Sequence, residues 1–187
     1  MPLKIVFMGT PKFSVPTLRK LTDNKFKILT VYTQPPTKSN RGQKIRPSHI
    51  QEFCDANKLD VKCPENLNTD EEYDYFKKLS ADLAIVVAYG KLIPKNFLSL
   101  TKFGFINIHA SLLPKWRGAS PIQRAIMNGD KKTGVSIMKI EEKLDSGPLL
   151  AAKELELNQD STYEEIGEKL ALIGADLLIE SLKSIAN

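Results

Sequence analysis

Along this chain, short runs in which nearly every residue is apolar trade places with amphipathic stretches whose apolar residues recur every three to four positions. The runs predict strands near 3–8, 27–33, 82–88, 104–109, 133–140 and 149–155. The amphipathic stretches predict helices near 13–22, 47–58, 69–79, 94–99, 119–128 and 162–184. In the last of these Ile166, Leu170, Ile173, Leu177 and Leu178 share a face, and Asp160-Ser161-Thr162 supplies an N-cap. Strand and helix in alternation is the mark of βαβ units. The expected fold is therefore α/β, one doubly wound domain over residues 1–187 with a mostly parallel sheet and right-handed crossovers. There is no internal repeat and no low-complexity tract.

Composition agrees with a globular domain: 187 residues at 42% hydrophobic content can close a proper core. No run reaches the roughly 18 apolar residues of a membrane span, and Met1-Pro2-Leu3-Lys4-Ile5 leads directly into a strand rather than a signal peptide. A cytoplasmic chain that needs no membrane is the expectation. Cys54 and Cys63 have no histidine at metal-ligand spacing, so they read as reduced thiols and no metal is expected. The formal charge of +5 is compatible with an anionic partner without demanding one. Gly9-Thr10-Pro11-Lys12-Phe13 follows the first strand, where a nucleotide fingerprint would sit. It lacks the Gly-x-Gly-x-x-Gly pattern, and no Walker lysine motif occurs, which counts against NAD and ATP.

Candidate chemistry gathers at the strand Phe105-Ile106-Asn107-Ile108-His109. Residues two apart on an extended chain face the same side, so Asn107 and His109 present two hydrogen-bonding groups together near the strand's carboxyl end. A structural polar pair accounts for them at least as well as a site does. A carboxylate changes the balance: Leu144-Asp145-Ser146-Gly147-Pro148 follows the strand-like run Gly134–Ile140, and would put Asp145 at the same sheet edge if the two strands run parallel. Taken singly, Asp-Ser-Gly-Pro is an ordinary turn. The remaining irregular stretch, residues 34–47, holds Lys38, Arg41, Lys44 and Arg46 with no acidic residue, and reads either as a solvated loop or as an anion-contacting one.

Seen together, Ile5-Val6-Phe7-Met8-Gly9-Thr10-Pro11, Val31-Tyr32-Thr33-Gln34-Pro35, Val86-Val87-Ala88-Tyr89-Gly90, Asn107-Ile108-His109-Ala110-Ser111-Leu112-Leu113-Pro114, Arg117-Gly118-Ala119-Ser120-Pro121-Ile122-Gln123 and Leu144-Asp145-Ser146-Gly147 resemble the formyltransferases that use 10-formyltetrahydrofolate. Ser-Leu-Leu-Pro after Asn-x-His, with Asp-x-Gly about 35 residues on, is the superfamily's pattern. The Gly-Thr-Pro start and the Arg-Gly-Ala-Ser-Pro-Ile-Gln run point to the branch whose acceptor is methionyl initiator tRNA, and so to translation initiation. The first loop is poor in the glycine and serine with which the purine-pathway members hold a substrate phosphate.

The resemblance implies a Rossmann-like formyltransferase fold, and roles for the catalytic trio. Asn107 would donate to the oxyanion, His109 would donate or move protons, and Asp145 would orient His109 directly or through water and accept the amine's proton. Which of them is the immediate base stays open. It further implies a folate pocket lined, largely through backbone, by Val87, Ala88, Tyr89 and Gly90, by Ser111, Leu112, Leu113 and Pro114, and by Glu141, Glu142, Lys143 and Leu144. Plainer readings stand beside it: Glu141 and Glu142 as solvent-facing, Tyr89 as a core cap. Lys38, Arg41, Gly42 and Lys44 would meet the acceptor end of tRNA, with Arg117 available for the substrate's anionic groups. Trp116 carries no functional reading. The family's C-terminal β-barrel, which helps hold tRNA, is not expected within 1–187. The chain is thus a catalytic domain or a short protein, for which a smaller amine such as an amino sugar nucleotide gains weight. A folate- or nucleotide-binding module without catalysis is the alternative of another class. A monomer is expected.

Overall fold

The computed structural model describes residues 3–39 and 44–186, and the chain divides into two compact units, Met1–Phe105 and Ile106–Asn187. In the first, strands β1 (Lys4–Gly9), β2 (Lys27–Tyr32), β5 (Val61–Lys62) and β6 (Leu83–Val87) lie in the order β5-β2-β1-β6, every pairing parallel. A parallel strand is covered on both faces, which is why β1 and β6 are apolar almost throughout: Ile5, Val6, Phe7, Met8, Leu83 and Ile85 have no solvent exposure. Helices α1 (Val15–Asp23), α2 (His49–Asn57) and α3 (Asp70–Leu79) connect them. Ser48 and Thr69 cap α2 and α3 by accepting from Gln51 N and Glu72 N, and α3 carries Asp70, Glu71 and Glu72 at its start and Lys77 and Lys78 at its end, complementing its dipole. Phe76 packs against Tyr32, Phe97 and Phe105 with centroids 5.3–6.1 Å apart.

Two expectations fail here, the first being the helix near 94–99, which is only a 3-10 turn at Lys95–Phe97. The stretch 34–47 was expected to be irregular, yet Thr37–Ser39 (β3) and Lys44–Arg46 (β4) form a separate antiparallel ladder, Thr37 opposite Arg46 and Lys38 opposite Ile45. Backbone groups that would otherwise need solvent pair with one another, and a composition rich in proline and lysine conceals it. The two-residue β5 was likewise too short to show as a hydrophobic pattern.

In the second unit β7 (Phe105–His109), β8 (Lys132–Lys139) and β9 (Leu149–Glu156) lie in the order β7-β8-β9. Both pairings are antiparallel, which corrects the parallel arrangement entertained for the Asn107 and Asp145 strands. The short α4 (Pro121–Met127) joins β7 to β8, and α5 (Tyr163–Ala186) closes the unit. Thr162 caps α5, its Oγ1 accepting from Glu165 N at 3.2 Å. The buried stripe of α5 is Ile166, Leu170, Ala171, Ala175, Leu178, Ile179 and Leu182, while Ile173 and Leu177 sit half-buried at its margin. Gly174, buried on the same face, lets α5 lie close to the sheet: a Cβ there would stand 2.9 Å from Ile108 Cγ2 and 3.2 Å from Val135 Cγ1. β9 is largely exposed and carries Lys153, Glu154 and Glu156, charges that suit a sheet edge.

Candidate active site

β7 is a regular strand in register with β8, Asn107 opposite Met138 and His109 opposite Ser136, so alternation puts Asn107 and His109 on one side. Asn107 is half-buried and His109 buried. Asp145 arrives by a route the strand pattern did not contain. Because β8 is antiparallel to β7, its end at Lys139 lies beside Ile106, away from His109. The connection 140–148 carries the carboxylate back. Asp145 adopts a left-handed backbone (φ +47°), and its Oδ2 accepts from Gly118 N at 2.8 Å and stands 3.6 Å from His109 Nδ1. That last separation is an ion-pair distance, longer than a hydrogen bond. The two side chains are 8% and 10% exposed, so the carboxylate acts on the imidazole with little solvent between them. The connection closes through Lys139 N to Pro148 O (2.9 Å), and a Cβ on Gly147 would strike the Lys139 carbonyl oxygen.

The turn after β7 is built as tightly. Ser111 Oγ donates to Lys115 O (2.6 Å), and the buried Ser136 Oγ donates to Ser111 O (2.7 Å) while accepting from Leu113 N (3.1 Å). Leu113-Pro114 is a cis peptide. Leu112 lies over Gly134, where a Cβ would come within 2.9 Å of Leu112 Cγ. Trp116 is left-handed (φ +58°), and its carbonyl meets His109 Nε2 at 2.9 Å. A carbonyl only accepts, so a hydrogen on Nε2 would complete a hydrogen bond there. The Trp116 indole donates to Asp130 Oδ2 (2.7 Å), and Asp130 Oδ1 takes Lys115 Nζ (2.8 Å) and Asn128 Nδ2 (2.7 Å). Lys115, then Asn128, hold the Asp130 carboxyl down at about 2.

In the first unit the carboxyl ends of β1, β2 and β6 are laced together. Ser14 Oγ donates to Val87 O (2.6 Å), Thr10 Oγ1 to Tyr89 O (2.8 Å), and Gln34 to Thr10 Oγ1 (N, 3.3 Å) and Tyr89 O (Nε2, 3.0 Å). This lacing holds the Val87–Gly90 turn, with Ala88 at φ +47° and Gly90 at φ +81°; a Cβ on Gly90 would collide with Gln34.

The family model for formyl transferases matches residues 3–182. The chain belongs to the formyl transferase family. It is 53% identical over 186 residues to the methionyl-tRNA formyltransferase of Pelagibacter ubique (strain HTCC1062), covering 99% of this chain and 60% of that protein. It is 48% identical over 185 residues to the methionyl-tRNA formyltransferase of Coxiella burnetii (strain CbuK_Q154), covering 99% of this chain and 59% of that one. The chain thus spans about 60% of the length of the relatives it matches. A crystal structure of phosphoribosylglycinamide formyltransferase from Anaplasma phagocytophilum superposes with TM-score 0.80 at 19% identity, over 100% of this chain and 88% of that one. That likeness shows the fold, the α/β Rossmann-like arrangement with a mostly parallel sheet that was expected.

Within this formyl transferase chain His109 and Asp145 are brought together, and Asn107 shares the side of His109. Ser111–Pro114 form the clamped turn; Arg117 follows it and is exposed, as are Glu141, Glu142, Lys143 and Leu144. Val87 and Tyr89 are buried, Ala88 and Gly90 exposed. Of the basic stretch, Arg41 and Gly42 lie outside the described residues, and Lys38 and Lys44 are placed by backbone alone, in β3 and β4. Sequence reasoning missed Thr10, Gln34, Trp116, Asp130 and Ser136 as parts of this architecture. Ser136 left a trace, a polar residue inside an apolar strand; Asp130 left none. Burial pushes the Cys54 thiol up to about 12 and raises that of Cys63, and both cysteines are free. Among the described residues no helix is long and apolar enough to cross a membrane, and no cluster of His, Cys, Asp and Glu suits a metal ion.

Proposed function

We propose that this chain transfers the formyl group of 10-formyltetrahydrofolate to the α-amino group of methionyl initiator tRNA, in the cytoplasm where translation begins. The observation that carries the reading is the His109–Asp145 pair, 3.6 Å apart and nearly shut off from solvent, in a chain 53% identical to a methionyl-tRNA formyltransferase over almost all its own length. The amine nitrogen attacks the formyl carbon and a tetrahedral oxyanion forms. The bond to the folate nitrogen then breaks, and that nitrogen leaves with a proton as tetrahydrofolate. Asn107 donates its amide N–H to the oxyanion. The amine's proton passes to the His109–Asp145 pair and from that pair to the departing folate nitrogen, so the proton count closes.

Donor contacts are proposed at Val87, Ala88, Tyr89 and Gly90, at Ser111, Leu112, Leu113 and Pro114, and at Glu141, Glu142, Lys143 and Leu144. What supports the first set is its backbone: Ala88 and Gly90 are exposed at positive φ, so a flat ligand can approach the chain closely. The carbonyls of Val87 and Tyr89 are already engaged by Ser14, Thr10 and Gln34, which leaves the turn's other backbone groups for the donor. Calorimetry is expected to give a binding heat for 5-formyltetrahydrofolate and none for ATP or NAD. Heat from ATP or NAD with none from the folate overturns the donor assignment. Offering donor with charged initiator tRNA, an amino sugar nucleotide and glycinamide ribonucleotide in parallel tests the acceptor; formylation of either small amine, with tRNA untouched, rejects the reading.

Lys38, Arg41, Gly42 and Lys44 are proposed to face tRNA, and Arg117 the acceptor's anionic groups. If Arg41 and Lys44 meet phosphates, the double variant Arg41→Ala, Lys44→Ala weakens tRNA binding and flattens its log–log salt slope by roughly 0.7–0.9 per lost contact. Donor affinity stays as in the parent. An unchanged slope and affinity over a salt series means the segment is only solvated.

A further inference from the structure

We infer that Trp116 and Asp130 are positioning residues that fix the tautomer of His109, keeping its hydrogen on Nε2 so that Nδ1, opposite Asp145, is the nitrogen that takes and returns a proton. The inference rests on the reading of His109 as the proton-moving residue. Two partners compete for the single hydrogen of a neutral imidazole. A hydrogen on Nδ1 would serve Asp145 across 3.6 Å but leave the Nε2 lone pair facing the Trp116 carbonyl at 2.9 Å. A hydrogen on Nε2 makes a full hydrogen bond to that carbonyl, and the opposing lone pairs then stand at the longer separation. The shorter contact decides, provided the carbonyl stays where it is.

Nothing intrinsic to tryptophan keeps it there. A bulky residue at φ +58° is in a sparsely populated conformation, retained only when its surroundings overdetermine it. Those surroundings are Asp130, whose side chain is 5% exposed and takes three hydrogen bonds, one of them from the Trp116 indole. The peptide on the other side is held by Ser111 Oγ on Lys115 O. Lys115 thus enters twice, through its carbonyl on Ser111 and through its ammonium on Asp130, and the carbonyl that faces Nε2 follows directly after it. Asp130 touches neither His109 nor Asp145 in this network; it acts through the Trp116 backbone.

The chain has two histidines, His49 and His109, so long-range 1H–15N spectra of the full chain resolve both imidazoles, assigned with His49→Gln. The wild-type protein is expected to show neutral His109 as the Nε2–H tautomer; an Nδ1–H tautomer overturns the proposal without any variant of the network. Trp116→Phe keeps a ring but removes the indole N–H, and Asp130→Ala removes the acceptor. Each is expected to move the His109 nitrogen shifts toward a mixture of tautomers and to lower kcat on the order of tenfold, with the donor KM little changed. Folded variants with wild-type His109 shifts and kcat overturn it. If His109→Ala retains turnover, the reaction scheme fails while the tautomer result still stands or falls by the spectra.

Discussion

Asn107→Ala is expected to lower turnover by about 10²–10³, or about 3–4 kcal/mol of transition-state stabilisation, while the fold survives. The side chain sits on a regular strand whose ladder to β8 is made by backbone, and it is half-buried, so its removal opens little space in the core. In the proposed mechanism, what it takes away is a donor aimed at charge that exists only in the transition state. kcat should therefore fall with the donor KM nearly constant. Asp145→Asn, which leaves Gly118 N an acceptor but removes the charge facing His109, should cost at least as much. If the groups act together on one proton and one oxyanion, as proposed, the double variant should lose less than the product of the two single losses. Steady-state kinetics on variants with wild-type unfolding midpoints decides this, and near-normal turnover for Asn107→Ala removes it from the mechanism.

Gly147→Ala is the second large effect, and it touches no reacting group. An added methyl would strike the Lys139 carbonyl, which belongs to the backbone at the end of β8 and cannot swing aside as a side chain would. Relief must come from the connection 140–148, which carries Asp145. The expected cost in stability is about 1–3 kcal/mol. The larger effect is kinetic: a displacement of order 1 Å at Asp145 would cost about 10²-fold in turnover. Gly104→Ala separates strain from collision. Gly104 has φ +81° but no atom within 4 Å of an added Cβ, so it should lose about 1 kcal/mol of stability and little activity. Urea unfolding and kcat measured on both variants test the contrast; equal kinetic losses, or none in either, would break the link drawn between Gly147 and Asp145.

Local pattern located the elements well, because burial on a strand or one face of a helix leaves a period in the residues themselves. β1, β2, β6, β7 and β8 fall on apolar runs, the exposed β9 begins on one at 149–152, and α5 begins at the cap that Thr162 promised. The side chains proposed to carry the chemistry could also be named from the chain alone. Asn107 and His109 needed only the two-residue period of a strand, and Asp145 needed only its place in a Leu-Asp-Ser-Gly motif whose likeness to a family is carried in the chain itself.

Pairing was not visible, because a strand's neighbours are chosen by contacts far apart in sequence, and nothing in the run Gly134–Ile140 states whether it joins β7 parallel or antiparallel. The antiparallel choice sends the end of β8 away from His109. It is then a left-handed Asp145, anchored on Gly118 N, that returns the carboxylate. The ladder of β3 and β4 escaped for the same reason, its partners being defined by each other rather than by a core. Least visible were the residues that hold the site: Trp116 reaches His109 through a backbone carbonyl, and Asp130 reaches Trp116 from fourteen positions away. Residue types and their periods were thus set by the sequence alone. Which nitrogen of His109 faces Asp145, and what keeps it there, was decided by tertiary structure, since hydrogen-bond geometry between distant backbone and side-chain groups exists only once the chain has packed.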